Sequence, residues 1–179
     1  MISPATLHRW AYAALFAALA AAVVFLRILP TGASAGGWPA PDFIVLAGFA
    51  WVVRRPDFVP VLLFAALLLV SELLFLRPPG VASGLAVIGL EAMRARAAIV
   101  RERGFLIEWM SVAVILGLML VAERVLLAMF FVDQPVFSVV AIGLVINVFA
   151  YPLVGALSIW GLRVRRLAPG EHAAEVRLV

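Results

Sequence analysis

Few side chains in this 179-residue chain could do chemistry, and their spacing assembles none of the usual sites. The absence of cysteine removes disulfides, thiolate catalysis and thiolate-held metals. His8 and His172 stand in opposite terminal segments, so an imidazole metal site or a proton relay in the membrane is not expected. Ten carboxylates are scattered along the chain, without a nucleotide-binding glycine loop, an acidic metal cluster or a Ser/His/Asp set. Transport of protons or cations would ask for several ionisable groups at one depth, or for an internal repeat, and neither is evident.

What remains are single polar residues inside apolar runs. Glu72, in Val70-Ser71-Glu72-Leu73-Leu74, is either an ion or partner site or an interfacial carboxylate paired with Arg77 or capping a neighbouring helix. Glu91 precedes Arg94 by three residues, a spacing that puts both on one helix face. Glu108 opens an apolar run beside several arginines, where its charge suits a helix amino terminus and should anchor that end. Glu123 and Arg124 point about 100° apart and are expected to snorkel to an interface. Asn147, with Tyr151 one turn on and Pro152 beyond, predicts a polar helix contact beside a kink. Gly80 and Gly84 form a G-x-x-x-G pair of the kind that arises by chance in glycine-rich apolar sequence.

The elements that must position these residues are set by composition. Apolar types make up 66% of the chain and charged types 13%, too little charge for a water-soluble surface. At about 20 apolar residues per crossing, there is room for one membrane domain and no separate soluble one. The apolar runs are residues 10–29, 42–53, 58–76, 81–93, 105–131 and 136–162. The first ends at Pro30 and a flexible stretch; a signal peptide cleaved near Ala33-Ser34-Ala35 is the competing reading. The second is short, so it either just crosses when extended from Trp38 or forms a re-entrant hairpin. Pro60 falls in the first turn of the third, and the fourth should end among Arg94, Arg96, Arg101 and Arg103.

All 14 basic residues counted are arginine, and their placement orients the chain. With the amino terminus inside and six reversals, Arg9, Arg54, Arg55, Arg94, Arg96, Arg101, Arg103, Arg163, Arg165, Arg166 and Arg177 are cytoplasmic, while Arg27 and Arg77 lie opposite. An 11 to 2 split supports six crossings with both termini inside. The net charge of +4 is therefore topological and not a nucleic-acid footprint. Nine of these arginines, Arg54, Arg55, Arg94, Arg96, Arg101, Arg103, Arg163, Arg165 and Arg166, are candidate contacts for anionic lipids or a cytoplasmic partner. Residues 1–167 read as a single transmembrane domain, and 168–179, with Pro169-Gly170 and mixed charges, as a mobile cytoplasmic tail.

The order of several short motifs adds a family. Pro41-Asp42 opens a short helix, Arg54-Arg55-Pro56-Asp57 closes it, Glu72 precedes Pro79-Gly80-Val81, and Asn147-Val148-Phe149-Ala150-Tyr151-Pro152-Leu153 runs into Arg163-Val164-Arg165-Arg166. Over residues 38–166 the chain resembles the MreD family of rod-shape-determining inner-membrane proteins. One departure is that the acid after the third run, usually Asp in the family, is Glu72 here, and the Gly that often accompanies that stretch is missing.

The resemblance implies an all-α integral membrane protein: a six-transmembrane-helix bundle similar to the substrate-binding subunits of energy-coupling-factor transporters. It also implies a non-enzymatic scaffold without cofactors or metals, located in the bacterial inner membrane. The scaffold would bind the single-span protein MreC and couple MreB filaments to a RodA-type glycosyltransferase and a class B penicillin-binding transpeptidase in peptidoglycan synthesis. Asp42, Glu72, Pro79, Gly80, Asn147, Tyr151 and Pro152 are the expected partner or helix-packing positions. A small-molecule-binding transporter subunit, with a polar pocket near Glu72 and the loop 31–41, is the alternative.

Overall fold

The computed structural model describes residues 4–29, 39–162 and 164. The loop positions 30–38, Arg163, Arg165, Arg166 and the tail 168–179 with His172 lie outside the described residues. Six α-helices account for most of the described chain: α1 (Pro4–Ile28), α2 (Phe43–Arg54), α3 (Val61–Leu74), α4 (Val81–Glu102), α5 (Phe105–Met129) and α6 (Phe137–Trp160). No strand occurs among the described residues. Three helices, α1 from Thr6, α5 and α6, are long and apolar enough to cross a membrane. Large apolar side chains such as Leu62, Phe131, Phe149 and Trp160 cover the outside, as in a helical membrane protein.

Local chemistry sets the helix ends. Asp42 caps α2 by accepting from the Val45 amide at 3.4 Å. Pro56 stops α2, and Pro56–Phe58 forms a single 3₁₀ turn with Phe58 buried, so α3 begins at Val61 and not at 58. The run expected at 42–53 is one uninterrupted helix of 12 residues, about 18 Å long, that begins at Phe43, while Trp38, from which it was expected to extend for a crossing, lies outside the described residues. The fourth helix ends among its arginines as expected, at Glu102, after running through Arg94, Arg96 and Arg101. Ala92, Ala95, Ala97 and Ala98 are strong helix formers there, and no breaker occurs before Gly104, at φ 88°.

Successive helices reverse direction. Arg27, near the end of α1, donates to the carbonyl of Pro41, just before α2. At the opposite end Arg9 lies 4.0 Å from Asp57, and Arg94 of α4 donates to Val59 O at 2.7 Å. The Tyr12 hydroxyl and the carbonyl of Leu162, just past α6, approach to 3.5 Å at this same end.

The core is built around α2, of whose 12 residues 10 are buried. It packs against α4 and α6, with α5 beyond α4 and α3 beside it. Two glycines allow the close approaches: a Cβ on Gly48 of α2 would run into the Phe64 ring of α3, and one on Gly89 of α4 would sit 2.9 Å from the Phe49 ring of α2 and 3.0 Å from Ile115 of α5. Helix α1 lies against the 3₁₀ turn and α3, with Tyr12 stacked on Phe58 at 4.2 Å and Phe16 edge-on to Trp51 at 5.3 Å.

Candidate functional site

The strongest polar feature is inside the bundle. Arg54 ends α2 on the face that carries Ala50, one turn earlier, and its side chain is fully enclosed. Its Nη1 donates to Glu108 Oε1 at 2.9 Å and to the Ala50 carbonyl at 2.6 Å. The Tyr151 hydroxyl donates to the same carboxylate oxygen at 2.7 Å. A charge-assisted bond of this kind is roughly twice as strong as a neutral one. Residues from α2, α5 and α6 are thus locked at one depth, and Gly155 leaves the space the guanidinium needs, since a Cβ there would lie 3.3 Å from Nη2. Phe105 stacks on Tyr151 with ring centroids 6.4 Å apart.

This placement corrects two expectations. Arg54, expected among the arginines reaching lipid headgroups, is a buried ion-pair partner because it continues the inward face of α2, whereas Arg55 falls just past the helix end. Glu108 does more than anchor an exposed helix end: it is buried and holds the tyrosine.

One residue beyond Glu108 on α5, Trp109 donates its indole N–H to the carbonyl of Val148 at 2.7 Å. Pro152 has no amide hydrogen, so it leaves without a partner the carbonyl four residues earlier, which is Val148. Trp109 supplies the missing donor across the helix interface. We predict that Trp109→Phe costs about 1 kcal/mol. In a Pro152→Ala background, where the backbone regains its own donor, the cost should nearly vanish. Equal costs in both backgrounds, read by reversible unfolding in mixed micelles, would remove this role for Trp109.

At the other end of α2, Asn147, one turn before Tyr151, ties α6 to α2. Its Oδ1 accepts from the Asp42 amide at 2.7 Å, and its Nδ2 donates to Gly143 O at 2.8 Å. Glu72 is buried and caps α4 from across the α3–α4 turn. Its carboxylate accepts from the Gly80 amide at 2.7 Å, the Ser83 amide at 2.7 Å and the Ser83 hydroxyl at 2.9 Å. Of the two structural readings of Glu72, the geometry is that of a helix cap. Glu72→Ala should destabilise the protein by about 2 kcal/mol and Glu72→Gln by roughly half of that, because the amide oxygen can still accept. The same unfolding assay checks the order; equal losses for both variants would show that the carboxylate geometry is irrelevant.

The remaining candidates fall into place as structural residues. Gly80 sits at φ 91° in the turn before α4, and a Cβ on Gly80 or Gly84 would meet open space, so this pair does not seat a helix within the chain. Pro79 is exposed in the same turn. Glu91 and Arg94 pair at 3.2 Å. Arg124 donates to Pro135 O at 3.1 Å and lies over the Phe137 ring, holding the α5–α6 turn. Arg96 and Arg103 are exposed, while Arg55, Arg94 and Arg101 are half-buried. No group of three or more His, Cys, Asp or Glu that could hold a metal occurs among the described residues.

A groove of about 170 Å³ separates α1 from α6 over the face of α2. Phe16, Leu19 and Val23 of α1, Phe43 and Ala47 of α2, and Leu157 of α6 line it. Its polar groups are spent on each other: Trp51 Nε1 donates to Ser158 Oγ at 3.1 Å, which donates to Val154 O at 2.7 Å. Glu72 does not line it. Chemically the groove can accept apolar side chains or hydrocarbon, and it offers no acid, base or nucleophile. Sequence reasoning missed the groove, Arg54 as a core residue, and Trp109. The one available signal was Pro152, which identifies Val148 as a carbonyl in need of a donor.

No protein-family model, curated protein or solved structure matches the chain.

Proposed function

We propose that the chain is a non-enzymatic scaffold of the MreD type, spanning the bacterial inner membrane six times with both termini in the cytoplasm. It binds the single-span protein MreC and links MreB filaments to a RodA-type glycosyltransferase and a class B penicillin-binding transpeptidase. The observation that carries this reading is the lateral groove between α1 and α6, apolar along its length and backed by the buried α2. A groove of that size takes one or two large apolar side chains from a passing helix, the way transmembrane helices seat on one another by van der Waals contact. The reversal of successive helices, with Arg9, Arg55, Arg94 and Arg103 at one end, supports the six crossings and the inward termini. The internal use of Arg54, Glu72, Glu108 and Asn147 supports a structural role, since each is spent on holding helices together.

The test is retention of MreC by the purified chain in nanodiscs under mild conditions. A complex that survives size-exclusion chromatography is expected, and free MreC overturns the proposal. Tight retention of a vitamin-like small molecule instead would move the chain to the transporter-subunit class.

A further inference from the structure

The helices end nearly level at one side of the bundle and in a step at the other. The hydrogen bond from the Asp42 amide to Asn147 Oδ1 sets the register of α2 against α6. Counted inward from that bond, α2 ends after about 18 Å and α6 after about 20 Å, where the Arg9–Asp57, Arg94–Val59 and Tyr12–Leu162 contacts lie. Counted outward, α2 stops at once, whereas α6 goes on for ten residues to Phe137, about 15 Å. Helix α1 ends level with α2, where Arg27 donates to the Pro41 carbonyl. The α3–α4 turn belongs to the same level, since Arg77, Glu72 and Asp42 all lie within electrostatic reach of Glu123 on α5. Past Glu123, α5 runs six further residues to Met129, about 9 Å.

The two sides of the step differ in chemistry. The low side carries Arg27, Asp42, Glu72 and Arg77, and its turn from Arg77 to Gly80 is exposed. The high side, the α5–α6 hairpin, shows Met129, Phe130, Phe131, Val136 and Phe137 to the outside at 62% to 96% exposure. No flat bilayer suits both. Level with the low side, it leaves five large apolar side chains in water; level with the hairpin, it draws the charges of the low side into hydrocarbon. Helix lengths show the same mismatch. Helices α5 and α6, at 25 and 24 residues, exceed the ~30 Å of a hydrocarbon core. Helix α3, at 14 residues, reaches about 21 Å, and α4 from Val81 to Arg94 about 20 Å.

We infer that the protein thins the outer leaflet on one flank. The bilayer keeps its full height along α5 and α6 and steps down by about 10 Å over the α3–α4 turn, as membranes do beside short spans. Phospholipid covers the apolar hairpin, and short or bent acyl chains pack against Leu73 and Leu74, which are exposed below the turn. The inference rests on the proposed six crossings, and on the proposed orientation for which leaflet is thinned.

The test uses the full chain in liposomes of dioleoylphosphatidylcholine. Because the chain lacks cysteine, Phe130→Cys and Pro79→Cys each give one nitroxide site, on the high and the low side of the step. Spin relaxation by oxygen marks hydrocarbon, and relaxation by a nickel chelate marks water. Oxygen should dominate at the hairpin label and nickel at the turn label. Oxygen at both, or nickel at both, is a flat bilayer and overturns the step. A label shielded from both reagents is covered by protein and overturns it as well. In nanodiscs of equal parts dimyristoyl- and dioleoylphosphatidylcholine, lipid retained in native mass spectrometry should be enriched about threefold in the shorter chain. Equal retention overturns the thinning. An impermeant maleimide should reach Asp57→Cys and Pro79→Cys from opposite sides of the membrane. Labelling of both from one side refutes the crossing of α3, and with it the proposed topology, independently of the lipid results.

Discussion

Glu108→Leu is expected to destabilise the bundle by about 3–5 kcal/mol, the largest loss of any single substitution considered for this chain. The carboxylate is the counter-ion of a fully enclosed arginine and the acceptor of the Tyr151 hydroxyl. Without it the guanidinium retains one backbone carbonyl and otherwise stands uncompensated in a medium where unpaired charge is expensive. Removing both charges is a different matter. Arg54→Met combined with Glu108→Leu replaces a desolvated pair by apolar volume, and should recover most of the loss. Tyr151→Phe, which deletes only a hydroxyl, should cost about 1 kcal/mol. Reversible unfolding in mixed micelles measures all three, and a double variant as unstable as Glu108→Leu would show that the pair is not the source of the effect.

The second large effect falls on association. Ala47 lines the groove on the α2 side and is only half-buried, so Ala47→Phe projects a ring into open space without displacing the core. The bundle should keep its stability, while binding of the proposed single-span partner should weaken about ten- to a hundredfold, the equivalent of about 1–3 kcal/mol of steric exclusion. A partner that binds Ala47→Phe as well as the parent must seat elsewhere. A stability loss matching the affinity loss would mean that the space is filled within the bundle itself.

Much of the scaffold was legible in the sequence because membrane helices announce themselves by composition and by the residues that stop them. The apolar runs match the helices to within a few residues, except that α1 starts at Pro4, ahead of its run, and 3₁₀ geometry at Pro56–Phe58 delayed α3, while α4 ends at Glu102, among the arginines expected to end it. Asn147 was readable as a helix contact because a lone amide in an apolar run must find a partner, here the Asp42 amide. Arg54 was not. Beside Arg55 and before Pro56 it has the look of a boundary charge, and its counter-ion lies on a helix 54 residues further along the chain, where no spacing rule reaches. The groove was equally out of reach, since it is a gap between helices and depends on how α1 and α6 diverge over α2.

The central position of α2 has a consequence for how the protein is made. Its arginine is synthesised early, yet Glu108, which pairs with Arg54, and Ser158, which accepts from Trp51, both emerge later from the ribosome. A chain halted before α5 would carry a short helix with an unanswered charge and an indole without its acceptor. In such a fragment the charge of Arg54 stays uncompensated until α5 packs against α2 and supplies Glu108.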